Sequence, residues 1–213
     1  GTTDPSSGTV PMLMYDDGRG TAPTDFFYSS FTGDATWEVV VGRFPYYGSI
    51  STLDDLLQKA INYDNESSVD WRQNAFLAMA RLDDSTPMYQ CGEQMKNNLL
   101  DPQSIASDRI YEQDFGVSPE YTYPATYMAN VWAANQYGMV FWNTHGGETS
   151  AQHFINTGDV SSLNDNYPSV VYQGSCENGH PENSGNLAYT ILKNGGITTV
   201  AASRNTFYNA GRT

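Results

Sequence analysis

Three observations predict an α/β protein with a mostly parallel sheet and helices on both faces. The strongest apolar runs are Ala75-Phe76-Leu77-Ala78-Met79-Ala80, Met139-Val140-Phe141-Trp142, Val170-Val171-Tyr172 and Ile197 to Ala202, and each is continuous rather than alternating. A strand covered on both faces reads that way, and parallel sheets are the ones so covered. Amphipathic segments lie between these runs, so strands and helices alternate along the chain. The length, 213 residues, suits one sizeable core, and nothing divides it in two.

Taken in order, residues 1–23 are rich in Gly, Pro, Thr and Asp and read as an irregular segment, which leaves 24–213 as the folded domain. A helix is predicted from Ser51 as N-cap, with Leu53, Leu56, Leu57, Ala60 and Ile61 on one face. The run 75–80 is bounded by charge and reads as a central strand. Thr86-Pro87 then opens a helix over 87–100, with proline at its first position and Met88, Cys91, Met95 and Leu99 as its stripe. Arg109-Ile110-Tyr111 is a shorter strand. A third helix spans 125–137, carries Met128, Val131 and Trp132, and ends at Gly138. Strands over 139–143 and 169–173 follow, then a helix from about Ser184 to Lys193, then the strand 197–202. There is no internal repeat and no low-complexity tract.

With 10 Lys+Arg against 24 Asp+Glu, the net charge is −14, which argues against nucleic acid or an anionic membrane as partner. The acidity is spread along the chain and reads as a solvated surface. A structural calcium ion is the sharper alternative, drawing on Asp16, Asp17, Asp83 and Asp84, although none of these pairs has EF-hand spacing. Few lysines, few cysteines and an excess of Tyr, Asn, Ser, Thr and Gly fit an exported protein of bacterial type. No stretch approaches the length of a transmembrane helix.

The chemistry is concentrated in two short segments. Asn143-Thr144-His145-Gly146-Gly147 follows one buried strand, and Gln173-Gly174-Ser175-Cys176-Glu177-Asn178-Gly179 follows another. Ligands of open parallel sheets bind at the carboxyl edge, so a histidine and a cysteine delivered there can form a thiolate–imidazole dyad. Flanking glycines allow a substrate backbone to come close and free main-chain N–H groups for an oxyanion. For an arbitrary free cysteine, burial as a small core side chain is the ordinary reading. Here the turn of small and polar residues around Cys176 exposes the thiol instead. A Cys91–Cys176 disulfide would remove the nucleophile, and Cys91 sits on a helix stripe as a buried free thiol. His153 and His180 could join Cys176 on zinc only in a spacing that matches no compact zinc pattern; they read as loop or rim histidines.

At these residues the chain resembles the gingipain-like cysteine peptidases, whose catalytic domain has a caspase-like fold. The family pattern is a strand ending in His-Gly and a second ending in Cys with Asn-Gly close behind. Further blocks occur in the family's order: Thr24-Asp25-Phe26-Phe27-Tyr28-Ser29, Val39-Val40-Val41-Gly42-Arg43-Phe44-Pro45, Ile61-Asn62-Tyr63, and Asn194-Gly195-Gly196-Ile197-Thr198-Thr199-Val200-Ala201-Ala202-Ser203. The family continues beyond both ends of this chain, so the resemblance implies a fragment of a larger protein.

The resemblance implies a secreted or cell-surface endopeptidase with Cys176 as nucleophile and His145 as base, acting on protein or peptide substrates without an organic cofactor. Gly146 and Cys176 N–H are the oxyanion donors it implies, with Gly147 beside them. An acid that orients the imidazole falls at Asp83 or Asp84, Asp83 being the choice taken, against the alternative of two exposed loop carboxylates. Glu148 and Glu177 either contact substrate or are solvated. Arginine-preferring relatives place an acid at the helix start that falls here near Tyr89, where none stands, so a preference for basic residues is not expected. Phe207 and Tyr208 correspond to an aromatic wall of the substrate pocket, or else cover the edge of the core. Two rival readings stand: a non-catalytic surface module that keeps the fold as a scaffold, and an acyl transferase in which an amine replaces water.

Overall fold

The computed structural model describes residues 12–16, 18, 20–34, 36–124 and 127–207. The chain opens with a hairpin of β1 (Leu13–Asp16) and β2 (Thr21–Thr24), antiparallel and in register from Leu13 opposite Thr24 to Asp16 opposite Thr21. The hairpin falls within the stretch read as irregular and corrects that reading for residues 13–16 and 21–23; residues 1–11 lie outside the described residues. Met12, just before β1, is buried.

A short helical turn, α1 (Phe26–Ser29), leads through an extended segment to α2 (Ile50–Asn65). The cap of α2 is Ser49, not Ser51: its hydroxyl accepts from Thr52 N at 3.2 Å and satisfies one of the free N–H groups of the first turn. Only Leu56 of the predicted stripe is fully buried, and Leu57 and Ile61 stay exposed.

Six strands form one parallel sheet: β3 (Asn74–Met79), β4 (Ala106–Tyr111), β5 (Tyr121–Thr122), β6 (Met139–Asn143), β10 (Ser169–Gly174) and β11 (Gly196–Ala201). Their order is β11-β10-β6-β3-β4-β5, and every adjacent pair is parallel. The chain builds outward from β3 through β4 to β5, then returns to the other side of β3 and builds through β6 and β10 to β11. The strand order therefore reverses between β3 and β6, and in open parallel sheets ligands bind beside such a reversal at the carboxyl edge.

Helices cover both faces of the sheet. On one, Phe76, Ala78, Val140, Trp142 and Val171 pack against α4 (Met128–Ala134) and α5 (Leu187–Lys193) through Met128, Val131, Trp132, Leu187 and Ile191. On the other, Ala75, Leu77, Met79 and Tyr111 pack against Met88 and Leu100, which flank α3 (Tyr89–Met95). β3 is buried on both sides, as its unbroken apolar run requires, whereas β10 and the edge strand β11 leave Tyr172 and Val200 half-exposed, which corrects the expectation that all the apolar runs are covered on both faces.

Two helices depart from their predicted bounds for local reasons. After α3 the chain widens into a π turn, Lys96–Leu100, whose extra residue per turn brings Leu100 to the core and leaves the predicted Leu99 55% exposed. Within the described residues α4 stops at Ala134, short of Gly138. Gly138 is no helix cap. A Cβ there would lie 2.3 Å from Arg72 Cα, so glycine lets the chain pass against the turn before β3.

Beyond β6, three two-residue strands make a small antiparallel sheet: β7 (Gly146–Gly147), β8 (Ser150–Ala151) and β9 (Ile155–Asn156). Among the described residues no helix is long and apolar enough to cross a membrane.

Candidate active site

β6 and β10 are parallel neighbours whose last residues pair, Asn143 with Gly174. Each chain continues past the sheet for two residues to a functional side chain, His145 on one and Cys176 on the other. The two extensions stay in contact: Thr144 N donates to Gly174 O at 3.0 Å. A Cβ on Gly146 would lie 2.7 Å from Ser175 Cβ and 2.9 Å from Cys176 O. Glycine is required at 146 for this approach. The structure thus brings the His145 and Cys176 loops together at the carboxyl edge, beside the reversal of strand order.

His145 is exposed, and its ring is held by the main chain of the neighbouring loop: Nε2 lies 2.5 Å from Leu82 O. A carbonyl can only accept, so Nε2 carries a proton, and in the neutral ring the lone pair falls on Nδ1. The Cys176 sulfur faces the segment after β11, accepting from Thr206 N at 3.4 Å with Thr206 O and Oγ1 each at 3.6 Å. Among the described residues no hydrogen bond joins the sulfur to the imidazole. Both cysteines are free thiols, and burial pushes the Cys91 thiol above its ordinary pKa.

Asp83, the acid assigned to the imidazole, is engaged elsewhere. Its carboxylate accepts from Ser85 N and Oγ, both at 2.7 Å, and from Thr86 Oγ1 at 3.0 Å, and these bonds, the Ser85 hydroxyl foremost, hold it below the usual carboxylate range. Asp84 pairs with Arg81 at 3.0 Å and is almost wholly exposed. The orienting group is the Leu82 carbonyl, one residue upstream. A main-chain oxygen leaves no residue-type signal, so the sequence pointed to the nearest carboxylate.

The remaining candidates fall into place around the two loops. Gly147 C=O accepts from the Asn178 amide at 2.6 Å. The Glu148 carboxylate accepts from Asn183 Nδ2 at 2.6 Å. Glu177, directly after the cysteine, has φ +57°, a left-handed conformation that costs a non-glycine residue energy, and its N–H donates to Arg204 O at 3.2 Å. Tyr89 begins α3 with its ring 5.5 Å from that of Phe115. Phe207 is 69% exposed and follows Thr206, the residue on the thiol. Tyr208 lies outside the described residues.

Arg204 forms a two-point ion pair with Glu182, at 2.5 and 3.0 Å, and this pairing holds the Glu182 carboxyl below its ordinary pKa. His180 Nε2 lies 3.2 Å from the same Glu182 and 3.9 Å from Glu148. His153 bonds Tyr123 OH through Nδ1 at 2.9 Å. Of the calcium candidates, Asp16 accepts from Gly18 N at 2.9 Å and Asp17 lies outside the described residues. Among the described residues no group of three or more His, Cys, Asp or Glu is arranged to hold a metal ion.

Asn178, to which the sequence assigns no role of its own, is fully buried, and its amide joins the two loops, donating to Gly147 O and to Ser150 O at 2.9 Å. A polar residue in a small-residue turn, two positions after the nucleophile candidate, was the available signal.

Comparison with known proteins agrees with this architecture. The crystal structure of the Arg-specific cysteine proteinase gingipain R superposes with a TM-score of 0.67 at 20% identity, over 88% of this chain and 45% of that one. A second solved protease structure gives a TM-score of 0.67 at 17% identity, over 87% of this chain and 41% of the other. The chain therefore spans less than half the length of either structure, and the likeness establishes a shared caspase-like α/β fold. Among curated protein sequences there is no match. The sequence model of peptidase family C25 matches residues 1–213, and the chain belongs to that family.

Proposed function

We propose that the protein is a cysteine endopeptidase, exported to the cell surface or beyond, that uses a Cys176–His145 dyad and an acyl-enzyme intermediate. The observation that carries this reading is the contact between the two strand-end loops, tight enough that only glycine fits at position 146. The reaction follows from the groups present. With Nε2–H held by Leu82 O, the lone pair on Nδ1 takes the Cys176 proton, and the thiolate attacks the scissile carbonyl.

The carbonyl oxygen gains charge and needs donors fixed in advance. His145 O accepts from Gln152 N at 2.8 Å, and bonded and non-bonded pairs alternate along an antiparallel ladder. The Gly146 N–H accordingly turns away from β8, and it serves as oxyanion donor together with Cys176 N–H. The imidazolium then returns its proton to the leaving amine, and water activated by Nδ1 hydrolyses the thioester. Before attack the sulfur turns from Thr206 toward the ring, in keeping with catalytic contacts that tighten only once substrate is bound.

Protein or peptide substrates follow from the family. Export rests on composition, with few lysines and only two cysteines in 213 residues. The test is cleavage of a peptide library by the wild type and by Cys176→Ala and His145→Gln. Loss of cleavage in both supports the reading; cleavage that survives either substitution contradicts it. Adding an amine nucleophile to the same assay separates hydrolysis from acyl transfer, and a chain inert toward every substrate would favour the scaffold reading.

A further inference from the structure

We propose that Asn178 is a positioning residue: its buried amide clamps the cysteine loop to the histidine loop and so fixes where Cys176, His145 and Gly146 N–H stand relative to one another. This rests on the cysteine-peptidase reading above and deepens it. Trp142 Nε1 donates to Ser175 Oγ at 2.9 Å, which leaves the hydroxyl proton of Ser175 to go to Asn178 Oδ1. With Oδ1 identified as the acceptor, the orientation of the amide is determined. Both Nδ2 protons then go across to the histidine loop, to Gly147 O at 2.6 Å and Ser150 O at 2.9 Å.

Those two carbonyls bracket the turn between β7 and β8, directly after His145. One side chain thus reads Ser175, the residue before the nucleophile, and the hairpin that follows the base. The clamp is anchored at its back as well, since Ala188 N donates to Asn178 O at 2.9 Å at the start of α5. Asn178 is fully buried and Ser175 is 2% exposed, so water does not substitute for a lost partner without opening the site. Neither residue touches substrate. Their influence passes through the spacing of the groups that do, where a displacement of about 1 Å is enough to cost roughly 100-fold in rate.

The experiment follows the reactivity of Cys176 with iodoacetamide from mildly acidic to alkaline pH, in the full chain, beside a thermal melt of each variant. In the wild type a His145-dependent thiolate labels at neutral pH. In Asn178→Ala the neutral-pH rate is expected to fall roughly tenfold, toward that of an unassisted thiol, with the pH profile moving to alkaline values and matching His145→Gln. Ser175→Ala, which removes one hydroxyl and leaves both Nδ2 bonds, is expected to move in the same direction by less. A cooperatively folded Asn178→Ala with wild-type rate and pH profile overturns the clamp. If Asn178→Ala does not fold, a wild-type profile in Ser175→Ala overturns it instead. A wild type that labels no differently from His145→Gln contradicts the dyad itself, and the clamp falls with it.

Discussion

The imidazole of His145 is oriented by a main-chain carbonyl, Leu82 O at 2.5 Å from Nε2, rather than by a carboxylate. The loop after β3 therefore supplies geometry to the loop after β6, across the point where the strand order reverses. A carbonyl can only accept, so it selects the tautomer of the neutral ring that carries the proton on Nε2.

Asp83→Asn tests this directly. Its carboxylate serves an exposed turn with Ser85 and Thr86, so the substitution is expected to leave melting nearly unchanged and to alter peptide cleavage by about twofold at most. His145→Gln removes the base and is expected to cost at least about 100-fold. Comparable losses in the two variants would restore Asp83 to the site.

Gly146→Ala asks whether the loop contact matters. The added methyl meets Ser175 Cβ at 2.7 Å and Cys176 O at 2.9 Å, neither of which is the free end of a flexible side chain. The loops must separate, at roughly 1–3 kcal/mol of stability, with cleavage falling by about 100-fold. Parallel measurement of melting and of kcat separates the two effects. A fully active Gly146→Ala with wild-type melting would show that the close contact of the two loops is not needed.

The Glu182–Arg204 pair gives a pH dependence. Glu182 has a folded pKa below its ordinary value of 4.5, chiefly through its hydrogen bonds to Arg204. A depressed carboxyl stabilises the fold above the unfolded pKa, and that contribution is lost as pH falls through the lower folded value. Melting temperatures are thus expected to separate for the wild type and Glu182→Gln above about pH 5 and to converge only as the pH falls through the lowered folded value. The side chains are about a third exposed, so solvent screening keeps the difference small. Equal melting at all pH values would show that the pair adds nothing.

The elements that determine the site were legible because they rest on side-chain patterning. Uninterrupted apolar runs identified β3, β6, β10 and β11 as strands, though only β3 is covered fully on both faces, and the positions of His145 and Cys176 followed from those strand ends. What escaped lies in main-chain geometry. The N-cap moved from Ser51 to Ser49 because two serines two residues apart offer the same hydroxyl. Leu100 displaced Leu99 because a π turn adds a residue that no 3.6-residue period anticipates. The hairpin of β1 and β2 pairs Pro23 and Thr21 with Met14 and Asp16, a composition that reads as loop. Leu82 O and the Asn178 amide act through contacts between segments distant in sequence.

Specificity follows from where carboxylates are absent or committed. The first turn of α3 has no acidic residue, Asp84 is tied to Arg81, and Glu93 already accepts from Arg109 Nη1 at 2.5 Å and Tyr111 OH at 2.9 Å. A buried cationic substrate side chain needs a partner, since an unpaired charge in a pocket is costly. A peptide library scored at the residue before the cut should show no dominant preference for Arg or Lys. Strong cleavage after either, abolished by Asp83→Asn or Asp84→Asn, would relocate the pocket to that loop.

The central claim is a covalent acyl group on Cys176, and intact-mass analysis during turnover of an activated peptide ester reads it directly. The account predicts a transient adduct equal to the acyl group, mapped to Cys176 and not to Cys91, absent in Cys176→Ala and formed much more slowly in His145→Gln. Ester hydrolysis at the wild-type rate in Cys176→Ala, with no adduct at any time, would contradict it.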